Sequence, residues 1–299
     1  MGVIIMNVVL NLYIILIFGY YIFSIFLITY LYFNYSKPHK HEKLLNYTNK
    51  IPSTISPIEL SILVNNKITP QVFTATIYYL IETKALIRVK EKKNVCLYRN
   101  LNFKGNLSHS QKYAVKILIE IMGDGEKVCL EQIENFCNNN IGATNFLLNY
   151  EIWKRMATAE GSKKAFFEPK HSDSLVKRFS IVGICLFLIN ILFGFYTFLG
   201  YCLLLPSLFV VFYYKKIFKR TKKYNNQFYE WLEFSSYLRN INQLGYQKEN
   251  INLYIIYSLV LDKIEYVEPC LLKSNEFINI NKFIKRCYTR AYLHGSRSI

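Results

Sequence analysis

The chain has 299 residues, a formal charge of +17 at pH 7 and a hydrophobic share of 52%. Such a charge on a soluble chain would point to nucleic acid, but no Asp, Glu, Lys or Arg occurs in residues 1–36 or 179–214. A helix of about 20 apolar residues crosses the roughly 30 Å hydrocarbon core of a bilayer, so an ordinary soluble globular protein is excluded and an integral membrane protein is expected.

Residues 1–36 read as an uncleaved transmembrane anchor. The apolar run from Val3 to Phe33 is too long for a signal peptide, no basic residue precedes it, and no small-residue cleavage site lies before Lys37. Lys37, His39, Lys40, His41 and Lys43 follow directly. Basic residues stay on the cytoplasmic side, so the N-terminus is expected outside and residue 37 onward inside. His39 and His41 alternate and do not converge on one metal from a helix, so juxtamembrane charge accounts for them and no metal is expected.

Residues 45–105 form the first cytoplasmic unit. Ser56-Pro57-Ile58-Glu59 is a helix start with an N-cap, a first-turn proline and a capping box. Thr69-Pro70 opens a second helix, with Phe73, Thr76, Ile77 and Leu80 at helical spacing. Leu86–Val89 and Val95–Tyr98 read as two strands joined by the polar turn 90–94. Helix, turn, helix, hairpin is a winged-helix-like order. Residues 106–175 predict a second such unit. It has a helix over 110–122, a turn at Gly123-Asp124-Gly125, a strand near Val128 and Leu130, and helices over 131–137 and 144–159.

Residues 176–214 predict a transmembrane hairpin. One helix of 36 residues would reach about 54 Å, well beyond the bilayer core. Gly194 and Gly200 offer a turn, leaving arms over about 179–192 and 201–214, and both ends of the segment are basic. The last region, 215–299, is cytoplasmic and helical. Residues 37–178 hold 22 Lys+Arg against 13 Asp+Glu, and residues 215–299 hold 15 against 7, so both charged segments read as cytoplasmic. The architecture expected is a mainly α membrane protein, with three transmembrane helices and cytoplasmic α+β winged-helix-like units. Its location is the inner (plasma) membrane, multi-pass, with the C-terminus in the cytoplasm.

The ordered series of landmarks resembles the C-terminal half of the YciQ-like family of predicted bacterial membrane proteins, a family defined by a domain of unknown function. The matching pieces are Ser56–Glu59, Thr69-Pro70 with Phe73–Thr76, and Leu86–Val89. After the hairpin come Lys219–Thr221, Trp231 with Phe234 and Tyr237-Leu238, and Tyr254–Leu259. The resemblance covers roughly residues 10–270. It implies an extracytoplasmic β-rich domain before the first membrane helix, whereas this chain is read as starting almost at that helix, without the domain. It carries over no activity and no catalytic residue.

The residues themselves point to no reaction. There is no phosphate-binding glycine loop, no HExxH and no GxSxG. Neither a catalytic residue nor a cofactor is expected, and the protein is read as non-enzymatic. Seven scattered cysteines, odd in number and without a CxxC, are expected to be free thiols. Transport is disfavoured because the apolar segments hold no ionisable Asp, Glu, Lys, Arg or His. A DNA-reading helix brings Arg, Lys, Asn or Gln to the bases, but the helix from Pro70 to Thr83 has Gln71 and no Arg or Lys. The basic residues sit in the hairpin, where Lys90, Lys92 and Lys93 are candidates for phosphate contact, and after the last membrane helix. There Lys215, Lys216, Lys219 and Arg220 are candidates for anionic lipid. The expected role is a scaffold or regulator at the cytoplasmic membrane face, with membrane lipids and a protein as partners. The alternatives are a membrane-tethered DNA-binding regulator and an accessory subunit of a larger membrane complex.

Overall fold

The computed structural model describes residues 2–37, 49–91, 94–192, 202–271 and 278–295. In chain order the main elements are α1 (Gly2–Leu31), α2 (Pro57–Asn65), α3 (Pro70–Glu82), β1 (Leu86–Glu91), β2 (Asn94–Arg99), α4 (His109–Lys116), β3 (Lys127–Cys129), α5 (Leu130–Asn138) and α6 (Asn140–Ser162). Then follow α7 (Asp173–Leu192), α8 (Leu204–Lys216), α9 (Lys222–Arg239), α10 (Ile251–Val260), α11 (Ile264–Leu271) and α12 (Ile278–Gly295). The described chain is mostly helical, with a small three-stranded sheet. It divides into two compact units, residues 1–40 with 167–225 and residues 41–166 with 226–299.

The first unit is built from α1, α7 and α8. Tyr13, Ile17, Tyr20, Leu27 and Leu31 of α1 are buried, at intervals of three, four or seven that make one helical face. Ile15, Ile22 and Phe26 lie on the outside and are about two-thirds exposed. A soluble helix would turn such residues inward, and a lipid-facing helix need not. The small side of α7 meets the polar side of α8 at Gly183. A Cβ built there would lie 2.2 Å from both Ser207 Oγ and Tyr20 Oη, so only glycine lets the three helices approach this closely. Among the described residues, two helical stretches are long and apolar enough to cross a membrane, residues 8–36 and α7. The arm expected over 201–214 is α8, shifted to Leu204–Lys216 and only 13 residues long. The turn expected at Gly194 and Gly200 lies outside the described residues.

The second unit packs α2–α6 and α10–α12, with the larger part of α9, around two aromatic clusters. Phe73 of α3 meets Phe146, Tyr150 and Trp153 of α6, all of them buried. Trp231, Phe234 and Tyr237 of α9 meet Tyr254 and Tyr257 of α10. The start of α2 is capped as the sequence predicts: Ser56 Oγ accepts the Glu59 N–H at 3.2 Å, and Glu59 Oε2 accepts the Ser56 N–H at 3.4 Å. Thr69 precedes α3 without a side-chain capping bond, and Pro70 alone marks that start. Gly161 of α6 lies against α2, where an added Cβ would come within 2.6 Å of Ile62 Cγ1.

The expected hairpin forms as β1 and β2, antiparallel, with Leu86 opposite Arg99 and Glu91 opposite Asn94. A third strand, β3, pairs with the other edge of β2 and sets Cys96 opposite Cys129. Here the structure corrects the sequence. Cys96 and Cys129, expected as free thiols, form a disulfide across the sheet. They are 33 residues apart, and only the register of β3 brings them face to face. Of the others with described side chains, Cys137 and Cys287 are free and buried, Cys185 is free and exposed, and Cys202 is free and partly buried.

Candidate functional site

The predicted lipid-contacting residues sit at the end of α8, where the first unit gathers a basic collar. Lys215 and Lys216 form the last turn of α8 and are exposed. Cations at a helix C-terminus also complement the partial negative charge of its free carbonyls. The chain then turns extended, and residues 167–168 run alongside 219–220. Phe167 bridges Arg220, and the Glu168 N–H donates to the Lys219 carbonyl at 2.8 Å.

This pairing fixes the side chains. Lys219 Nζ lies 3.6 Å from Glu168 Oε2. The Arg220 guanidinium stands over the rings of Phe167 and Phe218, at 5.7 and 5.5 Å from their centroids. Lys170 joins them, donating from Nζ to the Tyr214 carbonyl at 2.5 Å and lying over the Tyr214 ring. Burial pushes the Lys170 ammonium below its ordinary pKa, while Asp173 pulls the other way. Tyr35 holds the collar to the end of the first helix: its hydroxyl accepts the His171 N–H at 3.2 Å and lies 2.9 Å from Ser172 Oγ. Lys219 and Arg220 are thus engaged by their own fold, whereas Lys215 and Lys216 point outward. The sequence reading found these four but missed Glu168 and Lys170, whose roles depend on contacts with residues about 50 and 44 positions away.

The hairpin candidates belong to the second unit. Lys90 is exposed near the end of β1, and Lys92 and Lys93 lie outside the described residues. Between Lys90 and Lys92 stands Glu91, which is no surface accident. Lys127 Nζ meets its Oε2 at 2.8 Å, and the Tyr98 hydroxyl donates to Oε1. These two hydrogen bonds, Lys127 first, hold the Glu91 carboxyl below the usual carboxylate range. Helix α3, beside this hairpin, turns most of its side chains inward. Val72, Phe73, Thr74, Ala75, Thr76, Ile77, Tyr78 and Leu80 are all buried. A separate open cleft of about 580 Å³ is lined by Arg99, Phe103, His109, Lys112, Tyr113 and Lys116 among others. The sequence reading did not single it out, because its cations come from a strand end and one face of α4.

Residues 45–262 match the family model described as "Predicted membrane protein (DUF2207) C-terminal domain". No curated protein and no solved structure matches the chain.

Proposed function

The chain belongs to the DUF2207 family of predicted membrane proteins, and from that premise we propose that it is a non-enzymatic scaffold or regulator held at the cytoplasmic face of the inner membrane. In this reading α1, α7 and α8 are three spans, the N-terminus is outside, and the second unit is the cytoplasmic, winged-helix-like working part. The observation that carries the reading is the burial of α3. The helix that would read DNA in a winged helix is packed into the core, has no Arg or Lys, and gives the Phe73 ring to the Trp153 cluster. The fold is reused for contact with protein.

Two surfaces serve that role. Lys215 and Lys216 meet anionic headgroups, with about 1 kcal/mol from each basic residue near the surface. On α6, Ile141, Leu148 and Ile152 are exposed at helical spacing and form an apolar stripe for a protein partner. The test is a photo-crosslinking residue at position 148 of the full chain in cells. A discrete protein adduct, lost when the stripe is changed to Asn, supports the scaffold; adducts to DNA, or none to protein, oppose it.

A further inference from the structure

We propose that Cys96 and Cys129 form a thiol–disulfide exchange site, in which Cys129 is the sulfur that reacts with an external disulfide and Cys96 the one that closes the bond. The proposal is independent of the scaffold reading, because it concerns chemistry measurable on the purified protein.

The two sulfurs differ in ways that assign these roles. Cys96 is completely buried in the middle of β2, whereas Cys129 is partly exposed at the end of β3. Cys129 is also the N-cap of α5, a nine-residue helix, and its own N–H donates to the Gln132 carboxamide at 2.7 Å. A thiolate at a helix N-terminus faces backbone N–H groups and the positive end of the helix dipole, which favour the charged form.

Cys96 has a different neighbour. Its Sγ lies 3.7 Å from Glu91 Oε2. In the reduced protein that geometry lets the thiol donate a hydrogen bond to the carboxylate, which favours the neutral thiol and makes Cys96 the slower of the two to react. Glu91 is held in place by Lys127 and Tyr98, so the acceptor is fixed before the thiol needs it. The ligand-type atoms of Glu91, Cys96 and Cys129 all lie within 4.8 Å of one another.

The co-reactant is a low-molecular-weight disulfide, RSSR, such as oxidised glutathione. The Cys129 thiolate attacks one sulfur of RSSR, giving a mixed disulfide and releasing RS⁻, which takes up the proton that Cys129 lost. Cys96 gives its proton to solvent, and its thiolate attacks Cys129 Sγ. The second RS⁻ leaves and receives that proton. The protein dithiol is oxidised by two electrons, and RSSR is reduced to two RSH. The reverse path, with two RSH, reopens the bond. Opening it releases β3 from its covalent tie to β2, leaving the three register pairs Cys96–Cys129, Leu97–Val128 and Tyr98–Lys127 to hold the strand.

The test uses the full chain in detergent, equilibrated in buffers of reduced and oxidised glutathione, quenched by alkylation and mapped by peptide mass spectrometry. The expected result is that Cys96 and Cys129 become alkylated together in reduced glutathione and return together to the linked peptide in oxidised glutathione, without denaturant. Cys96→Ser should collect glutathione on Cys129, at least about tenfold faster than Cys129→Ser collects it on Cys96, given the difference in thiolate character and access. Glu91→Gln removes the negative charge beside Cys96 and should shift the pH profile of closure downward. A bond that opens only after unfolding overturns the proposal, as does a reduced pair that oxidised glutathione does not re-form. Preferential glutathionylation of Cys96 reverses the assigned roles and contradicts it equally.

Discussion

Tyr20 Oη and Ser207 Oγ lie 2.5 Å apart, joining α1 to α8 across 187 residues of sequence. The Tyr20 ring stacks on Phe179 of α7 with centroids 4.5 Å apart, and Gly183 leaves the space in which hydroxyl and hydroxyl meet. Interhelical hydrogen bonds in membranes average only about 0.6 kcal/mol, while close packing at small residues carries much of the rest. Tyr20→Phe is therefore expected to lower stability in detergent slightly, and Gly183→Leu severely, because its side chain needs space that Tyr20 and Ser207 occupy. Thermal unfolding of the two variants checks the order. Equal losses would mean that α1, α7 and α8 do not pack at this point.

The core of the second unit makes a comparable demand on Phe73. Its ring meets Trp153 edge to face with centroids 4.9 Å apart and is wholly buried. Phe73→Ala should cost about 3–5 kcal/mol, the range for deleting a buried ring. Denaturant unfolding of the full chain, followed by tryptophan fluorescence, reads this directly. A loss below about 1 kcal/mol, closer to a surface change, would place the ring outside the core.

Glu160 supplies a pH-dependent tie. Its carboxylate accepts the Ser110 N–H at 2.9 Å and the Ser108 hydroxyl at 2.8 Å, and also the Ser110 hydroxyl, binding the end of α6 to the start of α4. Burial pushes the carboxyl up, but the bonds from Ser110 and Ser108 and the nearby His109 outweigh it, so the folded value is depressed. A depressed carboxylate contributes stability that is fully present above its unfolded pKa, near 4.3, and lost as pH falls through the folded value. Glu160→Gln should lose about 1–2 kcal/mol near neutral pH, in the range of a charged hydrogen-bonded cap. The deficit should shrink on acidification below about pH 4. Urea unfolding at several pH values measures it. A deficit that grows in acid would contradict the sign.

These elements show what was legible beforehand. The helices of the first unit follow from long uncharged runs, those such as α3 from apolar spacing, and the start of α2 from Ser56-Pro57-Ile58-Glu59, because each signal lies in the local sequence. The start of α4 was missed in part. The expected helix begins at Ser110, but Ser108 and Gln111 form the capping box, with the Ser108 N–H donating to Gln111 Oε1 at 3.0 Å. The disulfide, the Glu91–Lys127 pair and the Glu168–Lys219 pair were not legible at all. Each depends on strand register or chain return over tens of residues, and neither cysteine spacing nor charge order encodes that.

The DNA alternative makes its own demand. A protein that uses only Lys90, Lys92 and Lys93 against phosphate binds duplex weakly, loses affinity steeply as salt rises, and ignores sequence. The full chain should therefore show a ratio of selected to random DNA affinity well below about 10³ at physiological salt, the lower end for specific binders. Replacing the three lysines with Ala should weaken binding to all duplexes alike. A ratio above that bound would favour the tethered regulator.

The central claim is that three spans hold the second unit on the cytoplasmic side, and thiol accessibility in intact cells tests it most directly. Leu101 is 88% exposed on the second unit, which makes Leu101→Cys a sensitive probe. Tyr196 lies between α7 and α8 in the chain, so Tyr196→Cys reports the opposite side. With labelled peptides resolved by mass spectrometry, a membrane-impermeant maleimide should reach Tyr196→Cys in intact cells and Leu101→Cys only once the membrane is opened. Labelling of Leu101→Cys from outside intact cells would contradict the account.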